Sequence, residues 1–291
     1  MLHYKYDLKK DLNKNGFCFI KNLIDESSIN KIKQYVIENS SNKMQTFTIA
    51  LFDKKSGQLD IKHKKSMELI KKIENIKYLS SNMKLVGNTA SINRIDAYTS
   101  EICSNPILPW HNDRAFSGDK VIHNKVQNKL FSYKAFVYLT NSSISNGSLA
   151  FLPESHIISS SLRSLMRKDV ISYEPFWSIG DFLKIVKRTN VINNLLNLGR
   201  FSKTMLYKFI NNVEFILMNP STTKFDLPGR EGDCVLFDER GFHRGGIPSD
   251  TKRIILRLFY LNGSGKYEDE PITEYGKKMK NSFLGEFKSI Y

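Results

Sequence analysis

Hydrophobic and polar positions change period twice along this chain. GFCFIKNL (16–23) is a short apolar run of strand type. Capping residues follow in Ile24-Asp25-Glu26-Ser27-Ser28, and INKIKQYVIEN then places Ile29, Ile32, Tyr35 and Val36 at helical spacing. Residues 45–52 and 85–98 carry β-type patterns, with SINRIDAY (91–98) alternating imperfectly around Ile92 and Ile95. YKAFVYLT (133–140) is rich in aromatic and branched residues and predicts a strong strand. NSSISNGS (141–148) is turn-rich, and LAFLPESH (149–156) predicts a short strand ending at a proline.

From 157 to 210 the pattern becomes helical, in LRSLMRK, SIGDFLKIVKR and VINNLLNLG. Strand patterns return in VEFILMNP (213–220), GDCVLFD (232–238) and KRIILRLFYLN (252–262). The tail GKYEDEPITEYGKKMKN is polar and predicts surface loop or a short helix. Short strands separated by turn signals, with helices ahead of and between them, predict an all-β sandwich or jelly roll rather than a parallel α/β sheet. The sequence contains neither G-x-G-x-x-G nor G-x-x-x-x-G-K-[ST], so nucleotide folds of those types lose support.

Composition narrows the class. The 291 residues are 41% hydrophobic and 25% charged, ordinary for a globular chain large enough to bury a core. The start, MLHYKYDLKKDLNKNG, has no apolar run of signal type, and no stretch approaches the ~18 apolar residues of a membrane span. Cys18, Cys103 and Cys234 form no disulfide or C-x-x-C framework, so the expected compartment is a reducing cytoplasm. The net charge of +15 has two readings: attraction to polyanions, or solubility with lysines spread over the surface. Between Leu183 and Val213 there is no acidic residue, while Lys184, Lys187, Arg188, Arg200, Lys203 and Lys208 are basic.

Candidate chemistry begins at PWHNDRAF (109–116). Two residues apart on an extended segment, His111 and Asp113 project to one side and can bind one face of an ion. Of the six histidines, His243 stands at the end of a strand pattern facing a loop, as His111 does. Two histidines and one carboxylate leave three octahedral positions open, the pattern of non-heme Fe(II) oxygenases. Ten residues on, in KRIILRLFY, Arg253 and Arg257 share one strand face and Ile254, Leu256 and Leu258 the other. A buried guanidinium needs an anion. The far carboxylate of an iron-bound five-carbon diacid would serve, and so would an internal salt bridge to Asp233 or Glu231. Spacing alone leaves open which arginine is inside.

Three blocks together resemble the phytanoyl-CoA dioxygenase family: PWHND, then YKAFVYLTN with NGSLAFLPESH, then GDCVLFDERGFHRGGIPSDTKRIILRLFY. The opening NGFCFIKNLIDESSINKIK resembles the family's start, whereas 157–213 matches little. The resemblance implies a double-stranded β-helix core with N-terminal helices, one domain over 1–291, and a basic helical insertion or lid at 157–213. It implies an Fe(II)- and 2-oxoglutarate-dependent dioxygenase that uses O2 and releases succinate and CO2.

Carried over, the iron ligands are His111, Asp113 and His243, and Arg253 rather than Arg257 clamps 2-oxoglutarate, because Tyr260 falls at the family's distance. His156 matches a structural position. Asn93 or Arg94 matches, loosely, a polar residue for 2-oxoglutarate. Trp110, Arg114, Phe116, Arg240, Phe242 and Arg244 are candidate substrate contacts. Related halogenases replace the carboxylate by a small residue, so Asp113 points to hydroxylation or another oxidation rather than halogenation. The expected partner is a small-molecule metabolite and not nucleic acid: either a plain small metabolite or an anionic, carrier- or phosphate-linked one. The alternative is a jelly-roll protein that binds without catalysis or binds polyanions.

Overall fold

The computed structural model describes residues 8–39, 46–53, 70, 73–86, 91–102, 108–113, 132–144, 146–168, 170–172, 174, 176 and 178–261. Its strands are β1 (Phe17–Ile20), β2 (Thr46–Asp53), β3 (Ser91–Ser100), β4 (Leu108–His111), β5 (Ser132–Tyr138), β6 (Leu149–Phe151), β7 (Asp226–Leu227), β8 (Cys234–Asp238), β9 (His243–Gly245) and β10 (Arg253–Leu261). They form a six-stranded sheet in the order β1-β8-β5-β10-β3-β2 and a four-stranded sheet in the order β4-β9-β6-β7. All the pairings are antiparallel. From β3 to β10 the chain changes sheet at every step except β6 to β7, the winding of a double-stranded β-helix.

Both faces of the larger sheet are covered, and strand alternation decides what goes where. Tyr133, Ala135 and Val137 of β5 and Ile254, Leu256, Leu258 and Tyr260 of β10 face an outer core. That core is shared with helices α1 (Leu8–Asn15), α2 (Glu26–Asn39) and α3 (Glu74–Val86). The alternate residues Phe136, Tyr138 and Ile255 face inward, where Val235, Phe237, Leu149 and Phe151 meet them between the sheets. The expected cap of α2 is present: Asp25 accepts from the Ser28 amide (2.9 Å) and hydroxyl (2.8 Å). Cys18 and Cys234 are buried free thiols, and burial together with Asp11 pushes Cys18 up to about 12.

Between β6 and β7 the chain runs through α4 (Ser155–Arg167), α5 (Ile179–Val186), α6 (Thr189–Asn197) and α7 (Lys203–Met218). These helices pack on the outer face of the smaller sheet, against Trp110, Ala150, Leu152 and Phe242. The strand expected at 213–220 does not exist, because VEFILM is the last part of α7. Leu206, Phe209, Ile210, Val213 and Ile216 are its buried stripe, and this helical period continues from upstream of the segment read as a strand. N-terminal helices are expected, and α1 and α3 are two of them, on segments where the sequence pattern places no element. Half of the basic run forms surface ion pairs: Lys184 with Asp181, Lys187 with Glu214 and Arg188 with Glu174. Cys103 and the tail beyond 261 lie outside the described residues.

Candidate metal centre

Strand β4 ends at His111, which lies directly across from His243, the first residue of β9. Their rings sit 4.4 Å apart, centroid to centroid. Asp113 reaches the same place from the turn after β4 rather than from an extended strand. One ligand atom from each of His111, Asp113 and His243 lies within 4.8 Å of the others, so the three can hold a metal ion.

Hydrogen bonds orient both rings. His111 Nδ1 lies 2.7 Å from the Pro109 carbonyl, and His243 Nδ1 lies 3.1 Å from the Gly241 carbonyl. A carbonyl only accepts, so each Nδ1 carries the proton and each Nε2 presents a lone pair. His111 Nε2 is 3.5 Å from Asp113 Oδ1, and His243 Nε2 is 3.2 Å from Asp113 Oδ2. Acceptors therefore converge on acceptors, and a cation satisfies such a set. The charge states agree. Burial, then the neighbouring His243, lower the His111 pKa and favour the neutral ligand form. Burial pushes Asp113 up, but the adjacent Lys134 ammonium is the chief influence that holds the carboxyl well below its usual range.

Lys134 is a participant that the sequence reading missed. It is the single charged residue of SYKAFVYLT and points inward from β5. Its ammonium is 2.7 Å from Asp113 Oδ2 and 3.0 Å from the buried carboxylate of Glu239. A lone lysine in an aromatic strand was the available signal.

Arg253 enters the space between the sheets at the start of β10. It is buried, and its guanidinium donates to the Gly147 and Gly246 carbonyls and to Ser100 Oγ (3.3 Å). Glycines make room for it: a Cβ on Gly147 would stand 3.2 Å, and one on Gly245 3.3 Å, from its nitrogens. Gly147 also has φ +72°, which a side chain rarely adopts. Gly245 is two residues beyond His243 on the same strand face, about 6.6 Å along β9. The acids weighed as internal partners are engaged elsewhere: Asp233 accepts from the amides of Asn22 and Arg230 (both 2.9 Å), and Glu231 pairs with Lys33 (2.7 Å). Arg257, on the same face, pairs at 2.5 Å with the buried Asp96.

Other candidates are placed differently. Trp110 and Phe242 alternate with the two histidines and are buried in the core beneath the helices. Arg244 lies over the Trp110 ring (5.5 Å) and pairs with Asp226 (3.2 Å). Packing, not access to the metal group, sets these three. Arg240 turns back on Asp238. His156 is structural, as expected, with Nε2 3.2 Å from the Asn13 carbonyl. Arg94 lies on β3 opposite Phe259, beside Asn93, and both side chains fall outside the described residues, as do Arg114 and Phe116 entirely.

A model of the phytanoyl-CoA dioxygenase (PhyH) family matches residues 12–253. The chain belongs to this family. This PhyH protein is therefore an enzyme of the iron- and 2-oxoglutarate-dependent oxygenase type, with iron, 2-oxoglutarate and O2 as its cofactor and co-substrates. No curated protein matches the chain.

Solved structures share the fold. SnoK, described as a non-heme alpha ketoglutarate dependent carbocyclase from nogalamycin biosynthesis, is 14% identical, with a TM-score of 0.56 over 96% of this chain and 91% of its own. HygX from Streptomyces hygroscopicus, with nickel and 2-oxoglutarate bound, is 12% identical, with a TM-score of 0.53 over 91% and 88%. EvdO2 from Micromonospora carbonacea var. aurantiaca, complexed with 2-oxoglutarate, is 12% identical, with a TM-score of 0.51 over 93% and 96%. Among the described residues, no helix is long and apolar enough to cross a membrane.

Proposed function

We propose that this enzyme hydroxylates an unactivated C–H of a small metabolite, using His111, Asp113 and His243 to hold Fe(II) and Arg253 to clamp 2-oxoglutarate. The observation that carries the reading is the shared inner face: two Nε2 lone pairs and a carboxylate converge on one point, and the buried Arg253 guanidinium from β10 lies beside Gly245, two strand positions beyond His243 on β9. An extended five-carbon diacid covers that interval. Iron supplies the activation of O2, coupled to conversion of 2-oxoglutarate to succinate and CO2.

The chain's residues bind and orient. The Pro109 and Gly241 carbonyls hold the ring tautomers. Lys134 keeps Asp113 ionised at neutral pH, and Phe237, 4.9 Å from the His243 ring, shields one side from water. The retained carboxylate at Asp113 favours oxygen insertion over halide transfer.

The insertion read as a lid is the helical layer α4–α7, which backs the outer face of the smaller sheet, opposite His111 and His243. Arg200, Lys203 and Lys208 are the part of the basic run that supports an anionic, carrier- or phosphate-linked substrate. Anaerobic Fe(II) with 2-oxoglutarate should give a weak visible charge-transfer band, and admitting O2 should give succinate. Absence of both would refute the enzyme reading in favour of a binding protein. Because SnoK is described as a carbocyclase, product analysis under labelled dioxygen has to show gain of one oxygen atom.

A further inference from the structure

Between the two N-terminal members of the metal group sits Asn112, a fully buried amide. Its neighbours assign its orientation: the Arg240 carbonyl only accepts and the Arg163 guanidinium only donates. Asn112 Nδ2 therefore donates to the Arg240 carbonyl, and Asn112 Oδ1 accepts from Arg163 Nη2 at 3.3 Å. The Arg240 carbonyl also accepts from Ser159 Oγ. Ser159 and Arg163 are one turn apart on α4, and the Arg163 guanidinium lies over the Phe176 ring at 4.8 Å. One turn earlier, Ser155 Oγ accepts from the Phe242 amide (2.8 Å), and the Leu152 amide donates to the Phe242 carbonyl (2.9 Å).

Helix α4 thus grips both segments that carry the metal group. It holds residues 240–242, just ahead of His243, through Ser155 and Ser159, and it holds the His111–Asp113 turn through Arg163. Asn112 closes the loop by joining the two segments directly. The pairing of β4 with β9 is short and its register shifts between Leu108 and His111, so the sheet alone constrains the turn weakly.

We propose that Asn112 is a positioning residue that sets the separation of Asp113 from His243, and that Arg163 transmits the position of α4 to it. This rests on the reading of His111, Asp113 and His243 as metal ligands. Outer partners of this kind typically change metal affinity by about 10–100-fold.

Co(II), titrated into the metal-free protein without 2-oxoglutarate, gives both an affinity and a visible ligand-field spectrum. Asn112→Ala is expected to weaken Co(II) binding by about 10–100-fold and to alter the spectrum. Arg163→Met, which leaves the ligand segments untouched, should act in the same direction by a smaller factor and keeps the test alive if Asn112→Ala does not fold. Unchanged affinity and spectrum in the folded variants, with only a lower melting temperature, would reduce Asn112 to packing and overturn the proposal. The two layers separate through His243→Ala: Co(II) binding that survives it refutes the ligand assignment itself. Binding lost in His243→Ala but intact in the Asn112 and Arg163 variants refutes the positioning role alone.

Discussion

The two faces of the four-stranded sheet are built from alternate residues of the same short strands, yet they hold opposite chemistry. On the inner face stand His111 and His243, with Gly245 making room for Arg253. On the outer face stand Trp110, Phe242 and Arg244: two residues buried in the helix-covered core and a guanidinium lying over one of their rings. The difference teaches that nearness in sequence to a reactive residue is poor evidence of nearness to its chemistry in a strand. The next residue points to the other side of the sheet.

Substitutions can separate the faces. Asp113→Ala should cost the most, abolishing succinate formation and so exceeding the ~10–100-fold loss typical of an outer partner, while the melting curve stays cooperative. Phe242→Ala belongs to the other face. It is expected to lower unfolding free energy by about 3–5 kcal/mol, read in denaturant titrations, yet to bind metal once folded. If Phe242→Ala instead lost metal and kept its stability, the two-face picture would be wrong.

Arg253→Ala tests how far the inner face extends. It should raise the 2-oxoglutarate concentration for half-maximal turnover by roughly 10–100-fold, with a smaller change in turnover at saturation. Asp25→Ala lies remote from both faces and sets the baseline, at about 1 kcal/mol for a lost helix cap, with activity unchanged. The Ser28 amide and hydroxyl hold the Asp25 carboxyl below its ordinary value. Its contribution is therefore present above the unfolded-state value and disappears as pH falls through the folded one. Stability measured against pH should show wild type and variant converging in acid.

Much of the inner face was legible beforehand. Strands at 16–23, 133–140, 232–238 and 252–262 appear within a few residues of their expected places, because aromatic and branched residues in short runs have few other uses. The His-x-Asp pair and the distant histidine converge as the blocks implied. The miss at 213–220 has a local cause: six apolar-rich residues fit either period, and only the buried stripe running back to Leu206 decides for a helix. The lone lysine of SYKAFVYLT marks Lys134 as unusual, but its two partners, Asp113 and Glu239, come from other segments that only the fold brings to it.

The sequence by itself determined which residue types are available and the face on which each strand presents them. Alternation and periodicity are local properties of a chain with two soft dihedrals per residue. Tertiary structure alone decided the pairings across sequence. Arg257 meets Asp96 while Arg253 reaches the Gly147 carbonyl, and Asn112 joins the segment that carries Asp113 to the one that carries His243. Those choices depend on register and on the stacking of two sheets, which bring together residues more than 100 positions apart and leave no trace in local pattern.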